Sequence, residues 1–561
     1  MIKKVFIFLI ITSLYFNLIA QVPGGSINGN FQIIGQTYKD DTLINASKVP
    51  EYLRLNSYAN VYYRNKNFTA GIRYEGYLNT LKGYNPKNDG FGISYYFLEY
   101  QNKKFDFTFG NFYEQFGNGL ILRTYEDKNI GYDNAINGVD IKFYPVKGIY
   151  LKGIIGRERL SFSKNTYGYS HTVFKGLVRG MDIEISPNEL INKNISTNWL
   201  LGFGMVSKYQ PQQQEYITVN DTTLKLGLPN NVSAFSARIN FGYKDVSFST
   251  EYAYKIPDPS ADNGYIYRPG HAVFSNITYA RKGLGILFST IFIDNFSFRA
   301  DRNAALNDLN INYIPDITRN HTYSFAAMYP YVSQNISEAG IAIEITKKFL
   351  RHTFLGGKYG TNLSVNYSRM HDLYKIPIKA DMPIGAKGTY GYFIDTRKLG
   401  ALLYQDFNIQ VDKKVSKHFK FIFLYQNLFF NYAVLRGKPG HQNVYANTVA
   451  LDMTYKFNYK HSLRTELQTL QSKQDMGSWV MGLIEYTIAP HWFFTLSDEY
   501  NYSNPSSNEA HYYNGAFGYK FNSTRIQLGY GRQREGIICI GGVCREVPAA
   551  NGFNFVISST F

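Results

Sequence analysis

Long hydrophobic runs are missing from most of this sequence. After the first twenty residues, no stretch reaches the length of about 18 apolar residues that a membrane-spanning helix needs. The mean hydropathy is −0.28, which excludes a protein with many membrane-spanning helices. Proline is scarce, with 18 in 561 residues, and no change in composition marks a domain boundary. We therefore expect one continuous architecture rather than a series of soluble domains.

The first twenty residues have the pattern of a secretory signal peptide. Lys3 and Lys4 form a basic start, an apolar core follows from Val5, and Ala20 precedes Gln21. We expect residues 1–20 to be removed on export. No cysteine directly follows the expected cleavage site, which argues against a lipoprotein.

Beyond this segment, stretches of about ten residues alternate apolar and polar side chains and end in a polar turn. Phe105, Phe107 and Phe109, for example, alternate with Asp106 and Thr108. Charged side chains between apolar ones are expected where one face meets lipid and the other meets a wet lumen. The pattern predicts an all-β protein, a single antiparallel up-and-down barrel in the outer membrane of a Gram-negative bacterium.

Short and long connections alternate, as expected for tight periplasmic turns and longer extracellular loops. A scheme with a periplasmic N-terminus requires strands at Gly29 to Tyr38 and at Leu306 to Ile314. It contains about 26 strands, with roughly 22 to 26 acceptable. Residues 21–28 then form a short periplasmic segment and residues 29–561 the barrel. The short connections centre on residues 65–67, 102–104, 145–148, 244–245, 281–283, 413–417, 458–460 and 522–524.

A barrel of this circumference should enclose a wide lumen. The short segment before the first strand leaves no room for an N-terminal plug domain, which argues against a transporter driven from the inner membrane. We therefore expect loops, or a separate lumen-filling or secretion partner protein, to occupy the space.

The net charge of +17 comes with no basic run and no nucleic-acid-binding motif, so we expect no nucleic-acid partner. Lysine and arginine are expected in turns and loops, beside anionic lipid headgroups and the phosphates of lipopolysaccharide. A basic lumen that favours anionic solutes is the alternative.

The last strand is amphipathic and ends on an aromatic residue. Phe553, Phe555, Ile557 and Phe561 lie on one face of it. This ending resembles the C-terminal signal by which the bacterial barrel-assembly machinery recognises its clients, and the resemblance implies that machinery as a partner.

A wider resemblance covers the whole mature chain. It rests on the runs Asn111 to Leu120, Arg123 to Asp127 and Gly356 to Gly360, and on the hairpin from Cys539 to Cys544. With these features the sequence resembles a family of Bacteroidota outer-membrane barrels of unassigned function. The resemblance implies a fold and a location, but no chemistry.

Candidate catalytic groups are isolated. Ser170 and His171 are neighbours, but neighbours on a strand point to opposite faces and no carboxylate partner is identifiable. His418 and His461 have no second histidine or cysteine at ligand spacing. We therefore expect no enzymatic activity, no cofactor and no metal site.

The segment from Glu114 to Asp140 interrupts the alternation and concentrates charge. One interpretation is an outer loop that folds into the barrel as a constriction, where opposed charges set selectivity. The other is a salt-bridged loop at the rim. The candidate residues are Glu114, Arg123, Glu126, Asp127 and Lys128.

Two functions stay open at this point. A porin-like passive or gated pore for small polar or anionic solutes fits the wide circumference, the charged insertion and the isolation of catalytic groups. A non-enzymatic scaffold in outer-membrane protein assembly or secretion fits the long outer loops equally well, because a partner could fill the lumen.

Cys539 and Cys544 are predicted to form a disulfide. With Gly541 and Gly542 as a two-residue turn, the cysteines face each other at the second residue pair from the turn. This is a non-hydrogen-bonded pair, the type in which opposite side chains lie closest together. Free thiols are the alternative, whereas the spacing suits a cross-strand bridge in an oxidising compartment. We expect no maleimide labelling on intact cells without reductant, and labelling of both cysteines there would contradict the disulfide.

Overall fold

The computed structural model describes residues 21–561, except 23, 166–167, 174–175, 192–195, 212, 220–221, 305–306, 505–508 and 541–542. The predicted signal peptide, Met1 to Ala20, lies outside the described residues. Within the described residues, no helix is both long and apolar enough to span a membrane.

Twenty-four antiparallel strands form one closed sheet. The first pairs with the last, from Asn30 opposite Thr560 to Gln36 opposite Asn554, and this pairing closes the barrel. The count is even and lies within the predicted range. The strands are β1 Gly25–Thr37, β2 Leu53–Asn65, β3 Phe68–Leu78, β4 Gly90–Gln101, β5 Phe105–Phe112, β6 Ile136–Phe143, β7 Ile149–Asn165, β8 Leu177–Ile185, β9 Thr197–Tyr209, β10 Asn231–Tyr243, β11 Val246–Lys255, β12 Gly270–Arg281, β13 Leu284–Asp294, β14 Ser337–Phe349, β15 Thr361–Ile376, β16 Phe393–Lys414, β17 Phe419–Phe430, β18 Val444–Lys456, β19 His461–Gln471, β20 Ser478–Ile488, β21 Trp492–Ser503, β22 Ala510–Phe521, β23 Thr524–Gln533 and β24 Ala550–Thr560.

The two ends of the barrel differ in their connections. The end that carries Gly25 and Thr560, called the terminal end below, has short connections, and every turn that the sequence predicted as short lies there. The longest connections at that end are residues 186–196, which include the short helix Pro187–Ile191, and residues 350–360. The opposite end, called the loop end, has the long connections. This asymmetry is typical of membrane barrels with tight turns on one side.

One of the two strands that the turn scheme required is confirmed and the other is wrong. The first corresponds to β1, whereas the described part of the second, residues 307–314, forms no strand. Its backbone is bonded to an inserted loop instead, since Arg123 N donates to Ile311 O at 2.9 Å and Tyr313 N donates to Gly119 O at 3.0 Å. The alternation of apolar and polar residues there reflects packing inside the barrel rather than pairing in the wall.

Most strands have an apolar outward face and an inward face that carries polar groups. In β3, Phe68 and Ile72 are exposed on the outside, whereas Arg73 and Glu75 are buried on the inside. Near the terminal end, exposed aromatic side chains recur on the outward face. They include Phe143, Tyr243, Trp492, Phe521 and Phe561.

Two connections at the loop end turn into the lumen and fill half of it. Residues 113–135, called the inner loop, and residues 295–336, called the inner segment, pack with inward wall residues into one hydrophobic core. Its fully buried side chains include Phe116, Leu120, Phe296, Phe298, Phe325 and Trp479.

The filling stops about halfway down the barrel. On the inward face of β16, Tyr404, Asp406 and Asn408 are buried, but Gln410 and Asp412, closer to the terminal end, are only half-buried. The same change from buried to half-buried occurs along β18 and β19. The lumen is therefore packed at the loop end and forms a polar vestibule at the terminal end.

The core should hold the inner segment in place. Replacing Phe298 with alanine should cost about 3–5 kcal/mol, because a buried phenylalanine leaves a cavity behind. We expect faster hydrogen–deuterium exchange in residues 295–336, measured by mass spectrometry, while the barrel still migrates as a folded species on gels before boiling. Phe109→Ala, at an exposed outward position, is the control. Equal exchange in both variants would show that the core does not hold the segment.

Candidate functional site

The inner loop begins with a turn that only glycine fits. Gly117 has a φ of 53°, and a Cβ atom there would lie 2.6 Å from a carboxylate oxygen of Glu251 on β11. That carboxylate instead accepts hydrogen bonds from the backbone and the side chain of Asn118, at 2.7 and 2.9 Å. The turn thus brings the loop directly against the inner wall.

Farther along, the inner loop is fixed to the wall by a group of five charged side chains, called the loop anchor. Arg73 on β3 lies 2.8 Å from Glu126 and 3.1 Å from Asp133 of the loop. Arg159 on β7 lies 2.6 Å from Asp133 and makes a bidentate contact with Glu75 at 2.7 and 3.0 Å. Bidentate, buried pairs of this kind are geometrically specific.

The loop anchor contains three carboxylates and two guanidinium groups. Burial raises the pKa of Glu126 to about 7, and the neighbouring Asp133 adds to the shift while Arg73 opposes it. Lys128 supplies a third cation nearby, and burial lowers its pKa. Its ammonium group lies 5.0 Å from the centre of the Tyr58 ring. The loop therefore presents its charges to the wall.

The other charges predicted in this segment occupy separate places. Glu114 lies 2.6 Å from Lys142 and 3.0 Å from Lys152; burial favours a higher pKa, but the two lysines outweigh it and lower the pKa. Arg123 lies against the rings of Tyr125 and Tyr313, at 4.9 and 4.0 Å.

Asp127 belongs to a small hairpin in the loop, where it faces Tyr132. The structure therefore places all five candidate residues in or at the start of the inner loop, but it does not gather them into one ring of opposed charges.

The inner segment has its own polar contacts with the wall near the vestibule. Arg319 donates to Asn408 at 3.1 Å and to Gln410 at 2.7 Å. His321 Nε2 lies 2.6 Å from Asp406 Oδ2. These contacts were not predicted, because the sequence pattern placed a strand near this region.

One sector of the loop-end half is not packed. A cavity of about 460 Å³, called the side cavity, lies between the inner segment and the wall formed by β21 to β24 and β1. Residues of the connection between β23 and β24, such as Ile537 and Ile538, also line it. Ala327 and Met328 face it from the inner segment. The wall side includes Gln36, Ser497, Glu499, Asn514, Arg534 and Asn554.

The side cavity has polar and apolar walls, and its charged lining residues are three arginines and two glutamates, Arg532, Arg534, Arg545, Glu499 and Glu535. Arg534 Nε lies 3.3 Å from Glu499 Oε2, and the Arg534 guanidinium also lies 5.5 Å from the centre of the Trp479 ring. Amide and hydroxyl groups make up much of the remaining wall side. Nothing in the local sequence pattern marks this sector, because it is defined by where the inner segment ends.

The remaining candidate residues lie away from these sites. The backbone register places Cys539 opposite Cys544 and Ile540 opposite Val543, as predicted, but the cysteine side chains lie outside the described residues, so the disulfide stays a prediction. The Ser170 and His171 side chains are also outside them. The Phe561 backbone exchanges two hydrogen bonds of 2.9 Å with Gly29.

The fold and its contents define a closed antiparallel barrel of 24 strands with a half-filled lumen. The chain belongs to a family described as "Family of unknown function (DUF6029)", whose profile matches residues 1–561. No curated protein matches it.

Several solved structures are similar in part. The P pilus usher (PapC) translocation pore has 9% identity and a TM-score of 0.39, over 95% of this chain and 99% of that chain. OccAB3 of Acinetobacter baumannii has 8% identity and a TM-score of 0.37, over 96% and 100%. A mutant of the ferric enterobactin receptor PfeA of Pseudomonas aeruginosa has 9% identity and a TM-score of 0.43, over 95% and 80%. Values this low support no inference about function.

The loop anchor predicts a strong effect of removing one arginine. Arg159→Met leaves Glu75 and Asp133 without one of their cations, and breaking a buried pair in this way costs about 3–5 kcal/mol. We expect trypsin to cleave the folded barrel faster at Lys128. Lys103→Met, at an exposed turn, removes the same charge and should leave the cleavage rate unchanged. Cleavage at the wild-type rate in Arg159→Met would show that the anchor does not hold the loop.

Proposed function

We propose that this protein is an outer-membrane barrel whose terminal end faces the periplasm. Support comes from the apolar outward face, the exposed aromatic side chains near one end, and the restriction of short turns to that end. Closure of β1 on β24 leaves no free edge in the ring, as a bilayer requires.

Within this location, we propose a gated pore for small polar solutes. The observation that carries the proposal is the side cavity, since this sector stays open between the hydrophobic core and the wall, beside a polar vestibule. A solute would pass from the loop end through the side cavity into the vestibule. The inner loop and the inner segment form the closed part of the gate.

The side cavity favours polar over strongly anionic solutes. Glu499 and Arg534 offset each other, and Gln36, Asn514 and Asn554 offer amide donors and acceptors. A route lined in this way recognises hydroxyl and amide groups better than net charge. The lining has one more arginine than glutamate, but Arg532 lies 2.7 Å from Asp41, so the lining gives little support to the anionic preference considered from the overall net charge.

The scaffold alternative differs in what the wild-type barrel does alone. A scaffold needs no route for solutes, and a partner protein would bind at the loops or in the vestibule. Conductance of the purified protein in a planar bilayer separates the two proposals.

We expect the wild type to conduct, and charge changes in the side cavity to shift its ion selectivity in opposite directions. Glu499→Gln should increase the preference for anions and Arg534→Gln the preference for cations, because each leaves the other charge unbalanced in the route. Arg123→Gln, inside the packed inner loop, is the matched control and should have less effect. A silent barrel that co-purifies with a stoichiometric partner would overturn the pore and leave the scaffold.

A further inference from the structure

On three nearby strands, β12, β14 and β16, the outward row of mainly apolar side chains ends at the terminal end with a cationic residue. On β14 the exposed row Ile341, Ile343 and Ile345 is followed by Lys347. The outward rows of β12 and β16 end in the same way, in Arg281 and Lys413. Other strands end this row in an aromatic side chain, as Phe143, Tyr243 and Phe521 do.

The cross-strand register aligns these cations around an apolar surface. Leu284 pairs with Arg281 on one side and with Lys347 on the other, so the two cations flank one leucine. They are separated by two strand spacings, or about 10 Å. Lys347 is also paired with Leu363 on β15, next to the strand that carries Lys413. A cavity of about 390 Å³ adjoins this row.

The turn between β14 and β15 exposes apolar side chains beside the same cations. Phe354 is 99% exposed, and Leu350 and Leu355 are also exposed. The turn is nevertheless ordered by its own bonds, since Gly357 N donates to Thr353 O at 2.8 Å and Lys413 Nζ lies 3.4 Å from Leu355 O.

Gly356 is required in this turn, because a Cβ atom there would lie 1.8 Å from Leu350 O. An ordered turn that keeps a phenylalanine fully in solvent is more consistent with a contact surface than with a simple strand connection.

The cations of this rim have few acidic neighbours. At the terminal ends of β12 to β18 and in their turns, Asp412 is the one acidic residue in four stretches of sequence, which are residues 281–284, 346–362, 410–420 and 454–462. Among the described residues, Arg281, Lys347, Arg351, Lys358 and Lys413 form no ion pair. Their charge is therefore available to an external anion.

We propose that Arg281, Lys347 and Lys413, with the turn at residues 350–360, bind anionic phospholipid in the leaflet at the terminal end. The cations contact the phosphates, and the acyl chains lie along Leu284, Leu363 and the isoleucine row. The position favours lipid over a soluble anion, because the cations continue rows that already face the membrane and can extend to the headgroup level. This inference rests on the proposed membrane location but does not depend on the pore.

Lipid retention tests the site. Wild-type protein would be equilibrated with micelles that contain equal amounts of phosphatidylglycerol and phosphatidylethanolamine, and the bound lipid counted by native mass spectrometry. We expect preferential retention of phosphatidylglycerol, weakened by salt. The triple variant Arg281→Gln, Lys347→Gln, Lys413→Gln should lose that preference several-fold.

A matched control uses cations of the same rim that alternate to the inward face. The triple variant Lys420→Gln, Lys456→Gln, Lys520→Gln makes the same change in net charge and should retain phosphatidylglycerol as the wild type does. Equal loss in both triple variants would overturn the proposal, because net charge alone would then explain the retention.

Two further results would also overturn the lipid site. One is displacement of the lipid by inorganic phosphate at matched ionic strength, which would indicate a site for free anions. The other is an acidic soluble protein that binds the wild type but not the outward triple variant. Conductance of the wild-type barrel separates this inference from the pore, because a wild type that is silent but retains phosphatidylglycerol would contradict the pore and leave the lipid site.

Discussion

A ring of 24 strands encloses more space than its own inward side chains can fill. The inward wall of this protein carries apolar side chains at the loop end, such as Val206, Ala234 and Phe430, and these would face water unless something covered them. The inner loop and the inner segment provide that cover. The vestibule, the side cavity and the loop anchor all follow from where this cover begins and ends.

The barrel was predictable because its signal is local. Alternation with a period of two and short polar turns are read from neighbouring residues, and they gave the closed antiparallel sheet and the turns at the terminal end. The inner segment was missed because Leu309, Ile311 and Tyr313 alternate like a strand although their partners lie in a distant loop. A usable signal was present in β13, which is apolar on both faces, as expected where the inward face is also covered.

For the contacts of the inner loop, the sequence allowed us to predict the loop residues but not the wall residues that they contact. Glu126 stood out as part of a charged insertion, but its partner Arg73 lies on another strand and looks like an ordinary inward position. The same holds for Glu75 and Arg159, which complete the loop anchor. Such pairs depend on which strands become neighbours of a folded loop. The side cavity left no local trace at all, because it is a place where packing is absent.

Cysteine accessibility tests the half-filled lumen most directly. Single cysteines at two inward positions, Ala234 in the packed core and Ser497 in the side cavity, would be introduced with Cys539 and Cys544 replaced by serine. We predict that a small water-soluble maleimide labels position 497 in the folded barrel and leaves position 234 unlabelled until the protein is denatured. Labelling of both positions at similar rates would show a continuous water-filled lumen and contradict this account.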